Sequence, residues 1–229
     1  NGVTEVALAD NAVLDHTKIE RESQGAFHIA SLQVQQGRNA RFFSHVVSTG
    51  GSLVRNEVNT VLGGEGGECS LDGLFVVDAS QHVDNRTRID HLRPHGSSRE
   101  LYKGVLGGAA RGIFNGKIYV HKNAAKTDAK QTNNNLLLSK NASVDTKPQL
   151  EIYNNDVKCT HGSTIGQIDA QALFYLRSRG LAPAEAQRLV TFAFASEVIG
   201  RIKLERLRLQ LENWLLGRFY NNGTNGTEQ

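Results

Sequence analysis

Asn133-Asn134-Asn135-Leu136-Leu137-Leu138 sets three amides directly against three leucines. The run suits a coil whose polar side chains stack from rung to rung while leucines fill the interior. Working outward from it, short apolar runs recur between Gly, Asn, Asp and Ser: Phe27-His-Ile-Ala30, Arg41-Phe-Phe-Ser-His-Val-Val47, Leu53-Val-Arg-Asn-Glu-Val58, Leu71-Asp-Gly-Leu-Phe-Val-Val77 and Lys117-Ile-Tyr-Val120. Their shortness, their β-branched content and the turn residues between them favour many short strands over helices. Sandwiches and barrels also give short strands. A recurrence at roughly 20 residues lies in the range of solenoid repeats and favours a parallel β-helix, so the chain reads as mainly β.

The period changes near residue 165. Asp169 can N-cap a helix carrying Leu173, Phe174 and Leu176, which Gly180 would end in the left-handed conformation. Pro183 suits the first turn of a second helix with Ala186, Leu189, Val190, Ala193, Phe194 and Val198 on one face. A third helix places Leu204, Leu207, Leu211, Trp214 and Leu215 on one side, with Arg201, Lys203, Arg206, Arg208 and Arg218 around the rest. Asn221 to Gln229 reads as a disordered tail. The expected organisation is therefore a β-helix core over 1–165, a small C-terminal α-helical subdomain over 166–220 and a tail over 221–229.

Length and charge narrow the function classes. A chain of 229 residues is long enough to bury a sizeable core. Its 26 basic and 23 acidic residues are interspersed, which argues against a dedicated nucleic-acid binder. The longest apolar stretches, such as Leu189 to Ser196, fall short of the roughly 20 residues that span a bilayer, so no membrane partner is expected. Two cysteines are too few for a disulfide framework and suit a reducing compartment. With no methionine, even at residue 1, the chain reads as a piece of a longer protein.

Cys159-Thr160-His161-Gly162 follows a strand-like run, Leu150 to Lys158, and is the one obvious thiol–imidazole pair. In an extended segment, residues i and i+2 project to the same face, so both side chains can meet one ion or one reacting group. Cys69 has no such neighbour and reads as buried structure. His82, Asp84, Asp90, His91 and His95 form a second polar cluster that could be drawn as a metal or acid/base site, but solenoid turns are rich in such residues. Gly63-Gly-Glu-Gly-Gly67 lacks the Gly-Lys-Ser/Thr of a phosphate loop; these are expected to be turn glycines, and no ATP site is expected in this chain.

The run Lys158-Cys-Thr-His-Gly-Ser-Thr-Ile-Gly-Gln-Ile-Asp169, continued by Ala172-Leu-Phe-Tyr-Leu-Arg-Ser-Arg-Gly180, resembles the SufB/SufD family of iron–sulfur cluster assembly proteins, in particular its SufD branch. Further matching runs are Gln81-His-Val-Asp-Asn-Arg-Thr-Arg-Ile-Asp-His91, Arg99-Glu-Leu-Tyr-Lys-Gly104, Phe114-Asn-Gly-Lys-Ile118, Lys126-Thr-Asp-Ala-Lys-Gln131 and Thr146-Lys-Pro-Gln-Leu-Glu-Ile152.

The resemblance implies a right-handed parallel β-helix followed by a C-terminal helical part. It also implies an N-terminal helical region that has no counterpart here. It further implies pairing with a SufB-type subunit, docking of the ATPase SufC on the helical part, and a cytoplasmic or plastid-stromal setting. Cys159 and His161 match the cysteine and histidine near the pairing interface, where they would meet iron or a nascent cluster transiently and share it with SufB. A cluster usually takes about four protein ligands, so two from this chain need partners. Arg206 and Arg208 are the residues expected to dock the ATPase. No flavin is assigned. The chain is then a scaffold rather than an enzyme, with a homodimer conceivable in the absence of SufB. Two other classes compete: a β-helix carbohydrate-active enzyme using Asp84 and Asp90, and a homodimeric interaction module with a metal-free Cys159.

Overall fold

The computed structural model describes residues 1–220; the expected disordered tail at 221–229 lies outside the described residues. Twelve strands come first: β1 (Gly2–Leu8), β2 (Val13–Glu20), β3 (Phe27–Gln36), β4 (Arg41–Ser48), β5 (Leu53–Leu62), β6 (Glu68–Val77), β7 (His82–His91), β8 (Ser97–Leu106), β9 (Arg111–Val120), β10 (Asp128–Leu137), β11 (Ser143–Ile152) and β12 (Lys158–Gly166). Three helices follow: α1 (Ala170–Ser178), α2 (Pro183–Ile199) and α3 (Glu205–Tyr220). The odd-numbered strands form one six-stranded parallel sheet and the even-numbered strands a second. The chain thus winds a parallel β-solenoid of about six turns, two strands to each turn, in agreement with the expected architecture.

The repeat is longer than the sequence suggested. Phe27 lies opposite Leu53 and Arg111 opposite Ser143, so one full turn takes 26 to 32 residues rather than about 20. Six of the strands had no obvious apolar kernel because their inward positions are partly polar. The opening hexad shows why. Asn133 and Asn135 point inward and are fully buried, with Asn135 Nδ2 donating to Asn133 Oδ1 at 2.6 Å and Asn133 Nδ2 donating to the Tyr102 carbonyl at 3.1 Å. Of the three leucines, Leu137 packs against the interior while Leu138 packs outward against the helix-covered face. Alternation along a strand therefore splits the leucines between the two faces, and amides share the interior with them.

Aromatic rings fill the core by using glycines one rung away. A Cβ on Gly73 would lie 2.1 Å from Tyr102 Cε1, and one on Gly104 would lie 2.3 Å from Phe75 Cζ. Gly73 is paired with Tyr102 and Phe75 with Gly104, so each ring occupies the space its neighbour leaves. Each large apolar side chain fully buried in this way contributes roughly 1.5–3 kcal/mol.

The turns from odd to even strands repeat one device. Asn11, Asn39, Gly66, His95 and Lys126 all adopt positive φ, and the amide N–H of each donates to a carbonyl of the next turn, ending with Lys126 on Asp156. Gly64, in the same loop as Gly66, has the Arg38 amide nitrogen 2.1 Å from where a Cβ would sit, so backbones of adjacent rungs touch there.

The helices cover the outer face of the even sheet. Val47, Leu74, Val76, Leu101 and Val105 of the sheet pack against Ala195, Val198, Ile199, Ile202, Leu211 and Leu215. Asp169 caps α1 by accepting from the Gln171 amide, Gly180 follows at φ +95, and Pro183 opens α2, as the sequence indicated. The buried faces differ in part. Leu189 and Ala193 of α2 are exposed, whereas Thr191, Ala195 and Ile199 are buried; Leu204 precedes α3 and is 62% exposed. The helices pack on the face of a sheet, so the positions nearest that face are buried rather than a continuous leucine stripe. Among the described residues no helix is long and apolar enough to cross a membrane.

Candidate functional site

β10 and β12 are the last two strands of the even sheet, and β11 is the last of the odd sheet. The run Leu150 to Lys158 is not one strand: β11 ends at Ile152, a turn follows, and β12 begins at Lys158. Cys159 and His161 therefore sit inside the terminal strand, two residues apart and on one face. That face is the interior one. Cys159 lies over Ala129 and packs against the solenoid core, while His161 lies over Gln131, a fully buried residue.

Each of the two residues tops a column of inward side chains. Below Cys159 come Ala129, Ser98 and Cys69. Below His161 come Gln131, Glu100 and Leu71. The last turn has no further rung above it among the described residues, so His161 is exposed and Cys159 half-buried while everything beneath them is closed.

Burial raises the Cys159 thiol above its ordinary range, opposed in part by the Ala129 backbone and reinforced to a lesser degree by the Asp128 carboxylate. The thiol is thus protonated at neutral pH. Glu100, buried without a counter-ion, has its carboxyl pushed up to about 7 by desolvation, only partly offset by the neighbouring Thr87 hydroxyl and the Gln131 amide. Gln131 Nε2 donates to Glu100 Oε2 at 2.6 Å. Neither Glu100 nor Gln131 stood out in the sequence. The signal that could have found them is the 29–31-residue rung spacing, which aligns them under His161.

The second polar cluster does not assemble. His91 faces the interior, donates to or accepts from Ser98 Oγ at 2.9 Å, and burial lowers its pKa to about 4. His95 is a positive-φ turn residue whose role is in the rung-to-rung hydrogen bond. Asp84 and Asp90 lie on the outer face of β7, held by Arg86 and Arg88 at 3.1 Å and 2.6 Å. They stand six positions apart along the strand, roughly 20 Å, against the about 5–9.5 Å between glycosidase carboxyl pairs. The carbohydrate-active reading of this pair is therefore set aside. Among the described residues no group of three or more His, Cys, Asp or Glu side chains is placed to hold a metal ion.

Cys69 is fully buried in the core, and burial drives its thiol far above the ordinary range. On α3, Arg206 is exposed and Arg208 is half-buried with Glu212 at 4.0 Å, while Trp214 packs partly against the helix-covered face of the sheet.

A parallel solenoid with a Cys-x-His on its terminal rung and helices folded back on one sheet defines a class of protein, and residues 1–194 match the SUF system FeS cluster assembly, SufBD core domain. The chain belongs to that family. Within it the chain is most like SufD: it is 40% identical over 90% of its length to the iron–sulfur cluster assembly protein SufD of Escherichia coli, covering 49% of that protein. It is 36% identical to an iron–sulfur cluster assembly SufBD family protein of Synechocystis, over 92% of this chain and 47% of the relative. It is 33% identical to the chloroplastic protein ABCI7 of Arabidopsis thaliana, over 95% of this chain and 46% of the relative. The chain thus spans about half the length of the curated relatives it matches.

Proposed function

We propose that this chain is the core of a SufD-like scaffold subunit that supplies Cys159 and His161 to a site completed by a SufB-type partner, where iron and sulfur assemble into a cluster that is then released. The observation that carries this reading is the placement of the thiol and the imidazole together on one face of the terminal strand β12. A strand with a free edge can pair with another chain, and two soft ligands on its exposed end leave the remaining ligands to that chain. The protonated Cys159 thiol suits a site that stays empty until iron and partner arrive.

In the same reading the subunit has no catalytic residue of its own. ATP hydrolysis belongs to a SufC-type ATPase docked on the helices beside Arg206 and Arg208, and its closure strains the pairing surface and opens the site. The complex works in the cytoplasm or the plastid stroma, and the chain alone pairs with a second copy of itself.

The test is the iron and sulfide content and visible absorption of the full-length chain co-expressed anaerobically with SufB- and SufC-type partners, in wild type and in Cys159→Ala/His161→Ala. Loss of cluster from an intact complex is the expected result. Unchanged cluster content would return both residues to packing roles.

A further inference from the structure

One column of the interior ends in an unused hydrogen-bond acceptor. Gln131 is wholly buried, its Nε2 is spent on Glu100 Oε2 at 2.6 Å, and its Oε1 has no hydrogen-bond partner among the described residues. Leaving a buried carbonyl oxygen unpaired costs on the order of 1–3 kcal/mol, so such an atom points to a missing donor.

Three features point to a donor on the rung above. Glu100 lies one rung below and accepts from the Gln131 amide nitrogen, so the amide oxygen is turned away from it. Across the interior stands Gly116, where a Cβ would come within 2.3 Å of Gln131 Nε2; that position gives the amide room and carries no side chain of its own. One rung above, in register at the roughly 4.8 Å spacing of adjacent strands, is His161. Its imidazole carries the only side-chain N–H on the inward positions of β12, which are otherwise Cys159, Ser163 and Ile165.

We propose that Gln131, oriented by Glu100, is a positioning residue for His161: when the exposed ring turns inward, Gln131 Oε1 accepts an imidazole N–H, fixing one tautomer and directing the lone pair of the other ring nitrogen out of the open rung. The role rests on the reading of His161 as an iron ligand. A histidine that binds a metal through one nitrogen is usually held by a hydrogen bond from the other, and loss of such a partner lowers metal affinity 10–100-fold. Here the partner is an amide, and the Glu100 carboxyl acts one step further back by accepting from the amide nitrogen.

The experiment uses the full-length chain labelled with [15N]histidine, with His161 assigned by comparison with His161→Ala, and Co(II) as the metal probe in the complex with its partner subunits. The wild type should show one pyrrole-type and one pyridine-type nitrogen for His161. Gln131→Leu should average the two shifts and weaken Co(II) binding 10–100-fold. Glu100→Gln/Gln131→Leu removes the buried charge together with its partner, so it should fold and show the same averaging. A wild-type imidazole that already averages, or one unchanged by Gln131→Leu, overturns the hydrogen bond. Co(II) affinity unchanged in His161→Ala overturns the metal reading and the positioning role with it, whatever the tautomer.

Discussion

Arg201, in the turn between α2 and α3, donates from Nη1 to Asp72 Oδ1 of β6 at 2.8 Å, across 129 residues of sequence. Asp72 is 2% exposed, and His45 Nδ1 lies 3.6 Å from its other oxygen. With Lys103, whose Nζ donates to the Phe194 carbonyl at 3.1 Å, this contact ties the helices to the sheet through buried polar groups as well as through the apolar face.

Removal of one partner from that contact leaves a buried charge alone. Arg201→Ala is expected to destabilise the protein by about 3 kcal/mol, while adding Asp72→Asn to it recovers part of the loss because the uncompensated charge is gone. Urea denaturation of the two variants checks this; equal destabilisation in both would show that the charge is not what matters.

Glu100 and His91 pull the pH dependence of stability in opposite directions. The Glu100 carboxyl rises from 4.5 to about 7 on folding, so the folded state holds the proton more tightly and stability falls as pH rises through that window. The His91 imidazole drops from 6.5 to about 4, so stability falls as pH is lowered through that window. Each shift corresponds to about 3 kcal/mol, and the two nearly cancel between pH 4.5 and 6.5. Glu100→Gln should therefore unmask loss of stability on acidification, and His91→Gln should unmask a gain. Thermal melts from pH 4 to 8 read both; two variants with the wild-type profile would refute the assignment.

Gly73→Ala should cost about 1–3 kcal/mol, since the new methyl would lie 2.1 Å from the Tyr102 ring position. Combining it with Tyr102→Leu should give a smaller loss than the sum of the single changes. Additivity in a denaturation cycle would mean that the ring and the glycine do not share that space.

On α3, stability and docking should separate. Trp214 packs against the helix–sheet core, so Trp214→Ala is expected to lower stability by about 1–3 kcal/mol. Arg206 is exposed, and Arg206→Glu/Arg208→Glu should leave stability within about 1 kcal/mol while weakening binding of the proposed SufC-type ATPase in a calorimetric titration. Unchanged affinity counts against docking at these arginines.

By itself the sequence determined the mainly β class, the switch to helices after residue 165, the Asp169 cap and the Cys159–His161 pair, because each follows from local backbone preference or from a two-residue spacing. Only the tertiary structure decided the 26–32-residue turn, the burial of Asn133 and Asn135, and the Glu100–Gln131–His161 column. Those depend on which residues of successive rungs lie in register, some thirty positions apart. The same long-range pairing divides the polar cluster of β7, sending His91 inward and Asp84 and Asp90 out to their arginines. In a parallel solenoid, a side chain's surroundings are set by the rung above and below, and local sequence carries no record of that register.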